Sequence, residues 1–258
     1  MPDAYLGPPR LKHALRSGSP LFGMWLVCRD PYFIECAAYS GFDVLLIDAE
    51  HAPISMADIE QIAIIARNSP AQVMVRMPVI GQAEIKQVLD IGIEGIVVPM
   101  VNSVPDAKRL IDYSMYPPLG IRGIGPRRAQ HLAGGAWEYQ KAANDEIVVI
   151  MPQIEHIDAV NDLDAICGVE GLGGLFLGPG DLSLSMGLGG QYSHPDMVAA
   201  KAKVLDTSRR HNLPLAVATT GEDDARYWVD NGAALVMVAS DSGLFNSAAQ
   251  RAIAGFRR

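Results

Sequence analysis

The chain has 258 residues, 49% of them hydrophobic and 19% charged, with a net charge of -8. That composition supports a large buried core and excludes a disordered chain. The acidic balance argues against non-specific binding to nucleic acid or to an anionic membrane.

The N-terminal stretch MPDAYLGPPRLKHALRSG has no apolar core of the signal-peptide kind. No apolar run approaches the ~18 residues of a membrane span. A cytoplasmic enzyme is expected, without a membrane or nucleic-acid partner. Cys28, Cys36 and Cys167 are scattered and form no CxxC pair, which argues against a disulfide framework or a structural zinc site.

Short apolar runs then recur along the chain: PLFGMWLVC from Pro20, DVLLIDAEH from Asp43, QVMVRMPV from Gln72 and GIVVPMVN from Gly95. EIVVIMPQIE from Glu146, LGGLFLGPGD from Leu172, LPLAVATTG from Leu213 and ALVMVASD from Ala234 follow. They are continuous rather than alternating, as expected of parallel strands covered on both faces. Helical patterns separate them. One spans Asp30 to Tyr39. Another follows Ser55, with Asp58 in the capping-box position. GQAEIKQVLDIG ends on Gly92, a good helix stop. HPDMVAAKAKVLDTSRRHN, EDDARYWVDNGA and a final SAAQRAIAGF complete the set. This rhythm predicts an α/β fold, a (β/α)8 TIM barrel forming a single domain over residues 1–258. A doubly wound sheet is the alternative, and the missing GxGxxG loop after the first strand weighs against it. One Gly-, Pro- and Arg-rich segment from Ser114 to Glu146 is too long for a simple connection.

A βα barrel carries its active site at the C-terminal strand ends. The polar residues expected there are Asp48, Glu50 and His51, Arg76, Gln153 and Glu155, and Gly178-Pro179-Gly180-Asp181. Glu155 and Asp181, on neighbouring strands, suit Mg²⁺ or Mn²⁺, with Co²⁺ a third candidate. Each could instead cap the helix that follows it. Arg76 inside an apolar strand must face an anion, either Asp48 or Glu50 within the barrel or a substrate carboxylate or enolate oxygen. His51 with Asp48 can form a general base, or be an ordinary surface histidine. All six lysines fall in segments read as helical or in the N-terminal region, so a Schiff-base route has no strand-borne lysine.

DVLLIDAEHAP, VMVRMP, VVPMVNS, YPPLGIRGIGPRRA, MPQIE and LFLGPGDLSLSMG together resemble the motifs of the HpcH/HpaI family of metal-dependent pyruvate aldolases, from about Phe22 to Phe245. The resemblance implies retro-aldol cleavage of a 4-hydroxy-2-oxoacid to pyruvate and an aldehyde. It implies that Glu155 and Asp181 ligate the metal and that Arg76 binds the keto or enolate oxygen. It places Gln153 at the metal and its water, and the Gly180 and Asp181 amides on the pyruvate carboxylate. His51, oriented by Asp48, would be the acid/base, acting through a metal-bound water, and Trp25 would lie near the pyruvate pocket. It further implies a homohexamer, a trimer of dimers with an exchanged C-terminal helix. GPGD replaces the GPAD or GPSD of many relatives. HLAGGAWE, from His131 to Glu138, departs further and is expected to shape the aldehyde pocket. An oxaloacetate decarboxylase, an acyl-CoA-type lyase and a non-catalytic binding barrel are the competing readings.

Overall fold

The computed structural model describes residues 11–256. Most of the N-terminal stretch read above, MPDAYLGPPR, lies outside the described residues, as do the last two residues of the expected 1–258 domain.

The strands are β1 (Leu21–Leu26), β2 (Val44–Asp48), β3 (Gln72–Arg76), β4 (Gly95–Val98), β5 (Val149–Ile154), β6 (Leu175–Leu177), β7 (Leu215–Ala218) and β8 (Leu235–Ser240). Every neighbouring pair is parallel, and β8 returns to β1, so the sheet closes into a barrel in chain order. The expected (β/α)8 barrel is the observed fold. Each predicted run contains its strand. The fifth begins later than expected because Ala143–Ile147 forms a π-helical turn ahead of it.

The helices are α1 (Leu11–Ala14), α2 (Pro31–Ala38), α3 (Met56–Ile65), α4 (Gln82–Ile91), α5 (Val104–Ser114) and α6 (Ala136–Ala142). After them come α7 (Ile157–Asn161), α8 (Leu163–Cys167), α9 (Pro179–Ser185), α10 (Pro195–Arg210), α11 (Glu222–Asp230) and α12 (Asp241–Ala254). None of the described helices is long and apolar enough to cross a membrane. Their ends follow local chemistry. Ser55 caps α3 in the full capping box with Asp58. Gly92 stops α4 at φ 94°, a left-handed conformation that glycine adopts without steric cost. The last helix starts six residues earlier than its apolar pattern suggests, because the Ser240 hydroxyl accepts from the Gly243 amide and starts the helix there.

Strand side chains alternate between two cores. Val44, Leu46, Met74, Val97, Val149, Met151, Phe176, Ala216, Leu235 and Met237 fill the barrel interior, joined from below by Leu11 and Leu15. Leu45, Ile47, Val75, Ile96, Val98, Ile150 and Ile154 face outward into the layer beneath the helices. The Asp241 carboxylate fastens the junction of β1 and β8. Its Oδ2 accepts from the Val27 and Cys28 amides at 2.8 and 2.7 Å.

The long segment between α5 and β5 crosses the N-terminal end of the barrel. Arg122 is buried there, donating to Asp90 Oδ1 at 2.7 Å and lying over the Tyr116 ring at 4.5 Å. Arg128 donates to the carbonyls of Ala63 and Ile91. Those partners end α3 and α4, which return antiparallel to the strands, so the segment sits opposite the catalytic end. The expectation that HLAGGAWE shapes the aldehyde pocket is therefore corrected within one chain. Arg122 and Arg128 are both struts: Arg128 reaches carbonyls near the helix ends, and Arg122 pairs with the Asp90 carboxylate in the last turn of α4.

Candidate active site

The inward register continues upward past the apolar layers. Positions 44 and 46 point in, so Asp48 does too. By the same parity Arg76 follows Met74, and Gln153 and Glu155 follow Met151. Trp25 packs against the interior cluster from β1. The rule that fills the barrel with aliphatic side chains thus brings these polar ones to its C-terminal mouth. Backbone pairing sets Asp48 directly beside Arg76.

Arg76 is buried and forks onto Asp48. Its Nε donates to Oδ1 at 3.0 Å and its Nη2 to Oδ2 at 2.7 Å. The guanidinium also lies 4.3 Å from the centre of the Trp25 ring, a cation–π contact that fixes its plane. Glu50 Oε2 stands 3.3 Å from Arg76 Nε. Burial pushes the Asp48 carboxyl up, but the hydrogen bonds and charge of Arg76 outweigh it and hold Asp48 below the usual aspartate range. Glu50 goes the other way. Burial raises it, the attraction of Arg76 only partly opposes this, and Glu155 adds to the rise.

Asp48 also accepts from the backbone amides of Glu50 and His51, at 3.2 and 3.1 Å. It shapes the turn, while its side chain is committed to Arg76. The carboxylate beside the His51 ring is Glu50, 3.7 Å from Nε2. The sequence expectation assigned that place to Asp48. Adjacency in sequence does not reveal which way a carboxylate turns at a strand end, and only the strand pairing with Arg76 decides it.

Glu155 is buried at the end of β5. Its Oε1 accepts from the Met100 amide at 2.8 Å, and its Oε2 from Gln153 Nε2. Met100 presents that amide from a left-handed backbone, φ 56°. Glu155 does not cap the helix after it, since His156 does so through Nδ1. Asp181 lies in the first turn of α9, whose N-cap position is Gly178. A Cβ on Gly178 would come within 3.1 Å of Glu155 Cβ and 3.3 Å of Gln153 Nε2, so only glycine leaves that pair undisturbed. A Cβ on Gly180 would meet nothing within 4 Å.

Residues 21–248 match the HpcH/HpaI aldolase/citrate lyase family. The chain belongs to this family. Its relatives in the HpcH/HpaI family include a hydroxypyruvate/pyruvate aldolase from Pseudomonas aeruginosa, 39% identical over 91% of this chain and 88% of that protein. A 5-keto-4-deoxy-D-glucarate aldolase from Klebsiella pneumoniae is 34% identical over 99% of this chain and 100% of its own. Among solved structures, the HpcH/HpaI aldolase of Desulfitobacterium hafniense superposes with a TM-score of 0.89 at 30% identity, covering 96% of each chain.

The mouth of this HpcH/HpaI protein carries oxygen donors of the chemical kind that a divalent cation takes. Asp48, Glu50, Glu155 and Asp181 set a surplus of negative charge against the Arg76 guanidinium, and like charges at a strand-end rim repel unless a cation intervenes. Gln153 Oε1 is buried without a hydrogen-bond partner among the described residues. Among those residues no group of three or more His, Cys, Asp or Glu side chains is arranged to hold a metal. The donors on hand are two carboxylates and an amide oxygen. Hard cations such as Mg²⁺ take such sets, completing them with water and substrate oxygens.

Proposed function

We propose that the protein is a divalent-metal-dependent aldolase, acting in the cytoplasm. It cleaves a 4-hydroxy-2-oxoacid reversibly to pyruvate and an aldehyde. The observation that carries this reading is the convergence of Arg76, Gln153 and Glu155 on one barrel mouth, in a chain similar over nearly its whole length to two aldolases.

In the cleavage direction the C4 hydroxyl loses a proton, the C3–C4 bond breaks, and C3 takes up a proton to become the methyl of pyruvate. A divalent cation held by Glu155 and Asp181, Mg²⁺ or Mn²⁺ by ligand chemistry, would supply Lewis-acid polarisation of the keto group. Arg76 stabilises the negative charge that develops on the keto oxygen, and its Asp48 fork and Trp25 face keep it from turning away. Gln153 orients Glu155. The amides of Gly180 and Asp181, with open space above Gly180, receive the pyruvate carboxylate. His51 moves the proton at the C4 hydroxyl. All six lysines lie in helices, α1, α4, α5, α6 and α10, so no lysine amine is presented from a barrel strand.

We further infer a homohexamer, a trimer of dimers joined by exchange of α12. This helix is exposed almost throughout and presents Leu244, Phe245 and Ile253 to solvent. A groove holding the exposed Phe22 and Val238 lies open on the β1–β8 side.

The test is exchange of the methyl protons of pyruvate in deuterium oxide with Mn²⁺ present, read by NMR. It reports enolate formation without requiring the aldehyde. Exchange is expected with the wild type and not with Glu155→Ala. A metal-loaded wild type that exchanges nothing and releases no pyruvate from 4-hydroxy-2-oxoacids would sink the reading.

A further inference from the structure

We infer that Phe176 is a positioning residue for Arg76, acting through the ring of Trp25, which it meets edge to face inside the barrel. This rests on the reading above that Arg76 stabilises the charge on the keto oxygen.

Burial alone does not call for a benzyl side chain at this place. Phe176 is the central residue of β6 and is fully buried. The other buried residues of the barrel interior are aliphatic or methionine, so Phe176 is the one aromatic ring among them within the described residues. Its neighbours in backbone register are Gln153 on β5 and Ala216 on β7. The small alanine leaves the benzyl group room to lean across the barrel. There it meets Trp25 of β1, a strand that does not pair with β6. The ring centres are 5.7 Å apart and the planes 74° from parallel, the edge-to-face geometry that aromatic pairs prefer.

The second observation is what the Trp25 ring touches next. The Arg76 guanidinium lies 4.3 Å from its centre. Arg76 spends Nε and Nη2 on Asp48, so Nη1 is the terminal nitrogen left for a substrate oxygen. A fork onto one carboxylate ties two nitrogens, yet guanidinium and carboxylate can still swing together about the Asp48 side chain. A ring against the guanidinium face blocks that swing. Trp25 is itself only partly buried, and Phe176 is the aromatic ring braced against it among the described residues. The contacts thus run from Phe176 on β6 through Trp25 on β1 to Arg76 on β3. A group that stabilises developing charge must be held to a fraction of an ångström, and a distant brace can decide whether it is.

The competing roles are plain packing and support of Gln153, the neighbour on β5. A double-mutant cycle on the methyl-proton exchange of pyruvate, at saturating pyruvate and Mn²⁺, separates them. Phe176→Leu should slow exchange about tenfold, less than the loss of a whole charge-stabilising donor, with Mn²⁺ affinity as in the wild type. In a Trp25→Leu background the same change should cost nothing further, since the ring it braces is gone. Where Phe176→Leu does not fold, Phe176→Ile, β-branched and suited to a strand, takes its place. Wild-type exchange in Phe176→Leu overturns the proposal, as does a loss that persists in the absence of Trp25. Weakened Mn²⁺ binding also overturns it, because the role then runs through Gln153. If the wild type exchanges nothing, the aldolase reading fails instead, and crystal structures decide the brace. The Trp25 ring should leave the guanidinium in Phe176→Leu, and a ring still 4.3 Å away overturns the proposal.

Discussion

A guanidinium shared among carboxylates gives each residue of the mouth two roles at once. Arg76 neutralises Asp48 and, in the proposed mechanism, also faces the substrate, so Arg76→Ala removes both functions. The buried Asp48 would be left unpaired, costing about 3 kcal/mol by analogy with broken buried pairs, and turnover should fall at least a hundredfold. Adding Asp48→Ala to the same chain removes the orphaned charge. It should restore most of the stability in a urea melt but none of the turnover. Recovery of turnover as well would show that Arg76 acts only on the fold. The same pair sets a pH dependence. Asp48 is held below its ordinary value of 3.8, so its stabilising contribution is fully present above that pH and is lost as pH falls through the lower folded value. At this scale the sequence was partly legible. Arg76 stood out because a charge inside an apolar strand requires a partner. The partner of His51 was not legible, because Asp48 and Glu50 are both near it in sequence and only the pairing of β2 with β3 separates them. Arg122 was hidden for a similar reason, since its segment reads as polar loop and its partner Asp90 is 32 residues away.

Among the elements, the connection from β6 to α9 packs directly against the residues of the mouth. Gly178 lies against Glu155 and Gln153, whereas Gly180 faces open space. A methyl group at Gly178 must push the carboxylate by a few tenths of an ångström. Gly178→Ala should therefore weaken Mn²⁺ binding about tenfold, as disturbing a ligand's support generally does. Gly180→Ala should bind Mn²⁺ like the wild type. Comparable calorimetric affinities for both variants would contradict this assignment. The strands themselves were readable because burial on both faces leaves unbroken apolar runs. The start of α12 was not, since ALVMVASD continues the apolar pattern across the Ser240 cap, and capping depends on where a hydroxyl turns.

For the whole molecule, the two ends of the barrel divide the work. The C-terminal end gathers Arg76, Gln153 and Glu155, while the Arg122 and Arg128 struts bind the N-terminal end together. The exposed α12 is the surface left over, and the exchange proposed for it predicts a mass change. Phe245→Asp combined with Ile253→Asp should reduce a hexameric mass in light scattering to that of smaller species, with the circular dichroism of the barrel retained. An unchanged mass would remove α12 from the assembly. The seam at Asp241 carries a consequence for the order of events during synthesis. Asp241 meets Val27 across 214 positions of chain, so β1 emerges first among the barrel strands and its partner β8 last. Closing so long a loop is entropically the most demanding contact in the barrel, and such non-local pairings form late. Until β8 arrives, the edge of β1 stands unpaired and open to wrong partners. The nascent chain is thus most vulnerable to aggregation just before its last strand appears, and a single carboxylate secures the closure that ends that interval.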